Sequence, residues 1–192
     1  MALGFYFRES ACTGCRVCQI ACQDRNDLPV NVAVRKVATF TSGSYPQAQF
    51  YHYSAACNHC ADPACAAACP TGATQKSDDG TVYRDKETCI GCGSCVSACP
   101  YGHPMVDEEA GVSVRCDSCK AFRDNGENPV CVDACPMRAL EFGDIEELRA
   151  KHEGENLVVE LPILPSADET GPALLIDAKQ CALAADYKET MI

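Results

Sequence analysis

An α+β fold of two small cysteine-rich modules, with an inserted β-hairpin and an extended C-terminal tail, is what the sequence predicts. Three observations carry it. Seventeen cysteines stand among 192 residues and tryptophan is absent, so disulfides or metal must replace a large aromatic core. Sixteen of those cysteines sort into four quartets that each end on C-x3-C, and only Cys181 is left over. Between the quartets run short extended pieces separated by turn residues, not long amphipathic helices.

The first quartet, Cys12, Cys15, Cys18 and Cys22, is spaced C-x2-C-x2-C-x3-C. The third, Cys89, Cys92, Cys95 and Cys99, repeats that spacing and is followed by Pro100. The second, Cys57, Cys60, Cys65 and Cys69, has x4 in its middle gap before Pro70. The fourth, Cys116, Cys119, Cys131 and Cys135, has x11 there before Pro136. Disulfide scaffolds staple distant strands, whereas every quartet here opens on C-x2-C, which argues for metal. A zinc ribbon takes two C-x2-C pairs, one from each of two loops. Three thiols at strict x2 spacing instead cap three corners of a cubane, and a fourth from elsewhere closes the cage. C-x2-C-x2-C-x3-C-P is the bacterial ferredoxin run, whose fourth cysteine serves the other cluster. The modules are therefore read as ferredoxin-like, with four [4Fe-4S] clusters and all sixteen cysteines as iron ligands; a zinc-binding structural protein is the remote alternative.

The intervening residues suit that chemistry. Gly14, Gly91 and Gly93 let the backbone turn back and aim N–H groups at sulfur, and Ala66, Ala67, Ala68, Ala98 and Ala134 leave room for an inorganic core. A proline after the fourth cysteine forces an extended exit and sends that thiol toward a different site from the first three. Quartet one has no such proline, so its helix is expected to run on past Cys22. Cys69 and Cys89 stand only twenty positions apart, which suggests that quartets two and three pair and leaves one and four to each other. Spacing leaves the adjacent pairing, one with two and three with four, open as well.

Along the chain, residues 1–143 read as the tandem cluster domain. VAVRKVATF and AQFYHYS flank a Ser-Gly-Ser-Tyr-Pro turn and predict the large hairpin at 29–56; SDDGTVYRD and DEEAGVSVR predict smaller ones, and ATQK and ALEF short strands. Asp144 with Glu147 predicts a capped short helix over 144–154. Beyond it, 155–192 has prolines and no clear period, and is expected to be an extended tail, partner-binding or partly disordered. The net charge of −11 excludes nucleic acid and anionic membrane surfaces as natural partners. MALGFYFRESAC lacks the basic start of a signal peptide, and LVVELPILP is too short to span a bilayer, so a soluble chain with no direct membrane insertion is expected.

Taken together, GFYF leading to CTGCRVCQIAC, then CNHCADPAC, CPTGA, CIGCGSCVSACPYG and CPMRALEFGDIEEL, resemble the four-cluster iron–sulfur subunit of DMSO reductase-type molybdoenzymes, from about residue 3 to about residue 165. The resemblance implies that quartets one and four form an outer module and two and three an inner one. It implies Cys12, Cys15, Cys18 and Cys135 on the cluster nearest the catalytic subunit, and Cys116, Cys119, Cys131 and Cys22 on the next. Cys57, Cys60, Cys65 and Cys99 would hold the third, and Cys89, Cys92, Cys95 and Cys69 the last, on the quinol side. Some relatives replace the cysteine at the Cys92 position and carry a three-iron cluster; this chain keeps it.

The implied role is an electron-transfer subunit without a catalytic centre of its own, partnered by a molybdopterin-containing catalytic subunit and, commonly in the family, by a membrane anchor that oxidises quinol. Its place is at the membrane through those partners, in the cytoplasm or co-exported with a twin-arginine-signalled catalytic subunit. Substrates in the family range over sulfoxides, N-oxides, sulfur compounds, oxyanions and catechols. The alternative is a polyferredoxin, or the relay subunit of a hydrogenase or formate dehydrogenase complex; the large hairpin and the tail favour a fixed partner over diffusion. His59 and His103 are expected beside a cluster or at the surface, Tyr101 packed against a cubane, and Cys181 as a free thiol.

Overall fold

Residues 2–190 are described by a computed structural model. Strand β1, Leu3–Arg8, is a continuous apolar run of the kind buried on both faces, and Phe5, Tyr6 and Phe7 are 4%, 0% and 1% exposed. After the first quartet begins, helix α1, Val17–Arg25, runs on beyond Cys22 with no proline to stop it. Strands β2, Lys36–Ser42, and β3, Gln49–Ala55, form an antiparallel hairpin in register from Lys36↔Ala55 to Ser42↔Gln49.

The second and third quartets alternate with short elements: helix α2, Ala64–Ala67, the hairpin of β4, Thr74–Lys76, with β5, Val82–Arg84, and helix α3, Ser94–Ala98. A further hairpin joins β6, Met105–Asp107, to β7, Val112–Val114, before helices α4, Lys120–Arg123, and α5, Val130–Asp133. Helices α2, α3 and α5 all stop just short of the cysteine that precedes a proline, because that cysteine is biased to extended backbone. Strand β8, Leu140–Asp144, then leads into α6, Ile145–Lys151, capped by Asp144 Oδ1, which accepts from Glu146 N at 3.0 Å and Glu147 N at 3.2 Å.

The expectation of an extended, partly disordered tail, with the cluster domain closing at 143, is corrected. After β9, Leu157–Val158, strand β10, Leu174–Asp177, enters the sheet in the order β8-β1-β10-β9, parallel to β1 from Phe5↔Leu174 to Arg8↔Asp177. Leu174, Leu175 and Ile176 are 6%, 0% and 0% exposed. Strand β11, Lys188–Thr190, adds to the hairpin beside β2. The physical reason is that β1 offers an open edge flanked by aromatics, and the apolar LLI run covers it. The tail's residues 191–192 lie outside the described residues.

The largest core joins β1, β3, β8 and β10 side chains to Cys18, Cys131 and Cys135; a second packs Tyr6, Leu148 and Leu175, and a third, between the second and third quartets, is little more than Cys65, Val82 and Cys95. So small an apolar centre points to metal as the staple of that module. Among the described residues no helix is long and apolar enough to cross a membrane.

Candidate metal centres

All four quartets open on one turn. The residue just before the second cysteine is left-handed in each: Gly14 at φ 68°, His59 at 45°, Gly91 at 66° and Ser118 at 55°. This conformation turns that residue's N–H back on the first thiol. Ser118 N donates to Cys116 Sγ at 3.3 Å, and the N–H groups of Gly14, His59 and Gly91 face Cys12, Cys57 and Cys89 in the same way. Glycine is also required by space at two of these turns: a Cβ on Gly14 would meet the His52 ring at 2.5 Å, and one on Gly91 the Gly111 carbonyl oxygen at 2.2 Å.

His59 holds the same conformation at a strain of ~1–2 kcal/mol. Val82 N donates to its Nδ1 at 2.9 Å and its ring stacks on Phe5, with 1% of the residue exposed. A surface position for His59 is thereby corrected; the packing of β1 and β5 on the quartet encloses it. His103 stacks on Tyr101, and burial, then Arg35, Lys36 and Arg115, hold its pKa down to about 3, so it is neutral. Cys181 sits in a 3-10 turn against β2, where its carbonyl accepts from Ser42 Oγ at 3.0 Å.

Cys12, Cys15 and Cys18 share a void with Cys135, walled by Phe7, Val37 and Leu140. A second void is lined by Cys89, Cys92, Cys95 and Cys69. Cys60 is pushed up to about 11 by burial, with further upward pressure from Cys57, Cys99 and Cys65. Burial lifts Cys22 to about 12, where Cys131 and Cys119 add to the rise and Arg35 opposes it; Cys116 in turn feels Cys22 and Cys131. Each quartet thus sends its fourth thiol into the company of another quartet's first three, one exchanging with four and two with three. Helix α1 packs on α5, and α2 on α3, to the same effect. The neighbourhoods also adjoin: Cys18 feels Cys131, and Cys116 feels Cys57. Among the described residues no three His, Cys, Asp or Glu side chains converge on a point for a single ion; the thiols stand apart around voids.

Donors surround these sulfurs. Ala139 N reaches Cys135 Sγ, Thr74 N reaches Cys69 Sγ and Ser113 N reaches Cys89 Sγ, each at 3.4 Å. Three side-chain donors carry no signal in the local sequence. Thr170 Oγ1 donates to Cys60 Sγ at 3.2 Å from the tail, and Ser54 Oγ lies 3.4 Å from Cys18 Sγ. Arg115 forks onto Cys65 Sγ at 3.3 Å and Cys57 Sγ at 3.1 Å. Burial would raise Cys57, but His59 and the Arg115 guanidinium beside it outweigh this and draw the thiol down to about 5. Thiols in voids, ringed by N–H and O–H donors, fit an anionic iron–sulfur core, since metal binding deprotonates the thiol outright and the donors then stabilise its sulfur.

A family model described as a 4Fe-4S dicluster domain matches residues 48–145, and one described as a 4Fe-4S binding domain matches residues 9–26. The protein is 42% identical over 188 residues to the B subunit of the anaerobic dimethyl sulfoxide reductase of Haemophilus influenzae, spanning 93% of this sequence and 90% of that one. The chain belongs to this iron–sulfur subunit family. Another member, the B subunit of the anaerobic dimethyl sulfoxide reductase of Escherichia coli K12, is 42% identical over 181 residues, 90% of this sequence and 87% of its own. The thiosulfate reductase electron transfer subunit PhsB of Salmonella typhi is 38% identical over 145 residues, 72% and 74% of the two sequences. Membership makes [4Fe-4S] clusters the cofactor of this chain.

Proposed function

We propose that this chain relays single electrons through four [4Fe-4S] clusters, to or from a molybdopterin-containing catalytic subunit. The observation that carries this is continuity. The thiol neighbourhoods adjoin from the first quartet to the third, Cys65 packing with Cys95 at the last step, and of the sixteen quartet cysteines only Cys15 and Cys92, one at each end of that series, are exposed. A path with one terminal at each end is what a relay between two partners needs.

In this reading Cys12, Cys15, Cys18 and Cys135 hold the cluster at one terminal, and Cys116, Cys119, Cys131 and Cys22 the next. Cys57, Cys60, Cys65 and Cys99 hold the third, and Cys89, Cys92, Cys95 and Cys69 the other terminal. When bound, each cluster takes up and gives back one electron without a change of ligands. The chain's own residues exclude water from the middle of the path, fix the thiols by the recurrent left-handed turn, and set the electrostatics with N–H, hydroxyl and guanidinium donors. Substrate chemistry falls to the partner, and the relatives' names, dimethyl sulfoxide reductase and thiosulfate reductase, support a reductase complex of that type. An anchor that oxidises quinol would meet the Cys92 terminal, placing the chain at the membrane through its partners.

Anaerobically purified protein is expected to contain about sixteen iron and about sixteen sulfide per chain, with visible absorption that bleaches on reduction. Stoichiometric zinc and no reducible absorption would overturn the relay. Co-purification with a molybdopterin subunit separates this role from that of a freely diffusing polyferredoxin. Cys92→Ser is expected to turn one four-iron cluster into a three-iron one, costing about one iron in sixteen and giving an electron paramagnetic resonance signal in the oxidised protein. An unchanged iron count and spectrum would remove Cys92 from the ligand set.

A further inference from the structure

We infer that Arg35 and Arg115 are built-in counter-ions of the relay, Arg35 shared by the two clusters of the outer quartets and Arg115 serving the cluster of Cys57, Cys60, Cys65 and Cys99. The inference rests on the ligand sets proposed above. Arg35 is 2% exposed, and its guanidinium lies 4.7 Å over the Phe5 ring. Its Nη1 donates to Ser54, at 3.2 Å to the carbonyl and 3.0 Å to the hydroxyl, while Nε and Nη2 are buried without a partner among the described residues. Arg115 Nε is buried and unpartnered as well. None of the ion pairs among the described residues includes either arginine.

A guanidinium stays protonated at any physiological pH, and burying it without an opposite charge is among the most costly arrangements a fold can hold. Guanidinium groups held this way require a compensating anion. The anions on hand are sulfur: Cys131, Cys116, Cys18 and Cys22 around Arg35, and Cys57 and Cys65 in the Arg115 fork. The Cys89, Cys92, Cys95 and Cys69 group has Arg84, whose Nε and Nη1 are likewise buried without a partner among the described residues, but no hydrogen bond among those residues joins it to sulfur. Its sulfurs face backbone N–H groups and hydroxyls, and the guanidinium nearest to it, Arg84, acts on Cys89 more weakly than those hydrogen bonds. Each electron added to a cluster makes it more negative, so a fixed positive charge in a low-dielectric site stabilises the reduced form more than the oxidised one. Arg35 and Arg115 therefore raise the reduction potentials of three clusters above what their ligands alone would give, while the fourth has only the weaker influence of Arg84 on Cys89.

The test is a redox titration of the holoprotein followed by electron paramagnetic resonance, with iron and sulfide measured on the same samples. Arg115→Gln is expected to weaken reduction of one cluster about tenfold, ~59 mV for a one-electron couple, and leave the other three in place. Arg35→Gln is expected to move two different clusters in the same direction. Arg115→Lys and Arg35→Lys, which keep the charge, should each recover most of the shift. Unmoved potentials, an equal shift in all four clusters, or lysine variants no better than glutamine would overturn the inference. Should Arg35→Gln fail to load, loading restored in Arg35→Lys supports the charge, and loading lost in both reduces Arg35 to a packing role. A wild type short of four clusters would instead condemn the ligand sets, so the two failures are distinct.

Discussion

Truncation after Gly171 is expected to leave no folded protein. The loss removes β10 from between β1 and β9, and with it Leu174, Leu175 and Ile176, which are 6%, 0% and 0% exposed. Burying a large aliphatic side chain is worth ~1.5–3 kcal/mol, so these three contribute roughly 5–9 kcal/mol. That is comparable with the whole stability of a typical domain, about 5–15 kcal/mol. The truncation also strips the parallel ladder from Phe5↔Leu174 to Arg8↔Asp177, and the Thr170 shelter of Cys60 loses its anchor. Soluble yield, and the temperature at which cluster absorbance is lost, report the outcome. Ile176→Ala is the graded version, with an expected loss of ~2–5 kcal/mol. A truncated chain that melts with the full-length protein would show that β10 is dispensable.

The second large effect concerns which thiols work together. Cys135→Ser is expected to abolish the cluster of Cys12, Cys15 and Cys18, removing about four of sixteen iron atoms and electron delivery through that terminal. Adding Cys15→Ser should then cost no more iron, because both residues serve one core and their effects are not additive. If neighbouring quartets paired instead, one with two and three with four, the double variant would lose about eight iron atoms rather than about four. Iron analysis and the count of resolvable spectroscopic signals decide between the two.

The site was legible where its chemistry is local. Three cysteines at x2 spacing can present their thiols only around a compact core, and a proline after the fourth dictates its exit, so the quartets and their neighbours could be read without a structure. Partnership could not be. Spacing allowed two pairings, and the exchange between quartets appears only when α1 lies on α5 and α2 on α3. Arg35 sits in VAVRKVATF, where an arginine next to a lysine looks like solvated surface; its burial follows from β1 and the hairpin closing over it. The tail misled for a related reason. LLID between Pro172 and an acidic end is too short to show a period, and a strand buried on both faces has no alternation to show. His59 was ambiguous because a left-handed turn that takes glycine in two quartets takes histidine in one and serine in another.

The sheet order β8-β1-β10-β9 also fixes a timetable for biosynthesis. The proposed inner ligands all lie between Cys57 and Cys99, so that half can gather its thiols while the polypeptide is still emerging. Strand β1 has no neighbour until residues 140–177 have been made, and Cys12 to Cys22 have no complementary thiols before Cys116 to Cys135 arrive. At about 5–20 residues per second, the first thiols synthesised stand open for roughly five to twenty-five seconds. The inner pair can therefore take up iron before the outer one, and oxidation during that interval falls first on the quartet that was made earliest.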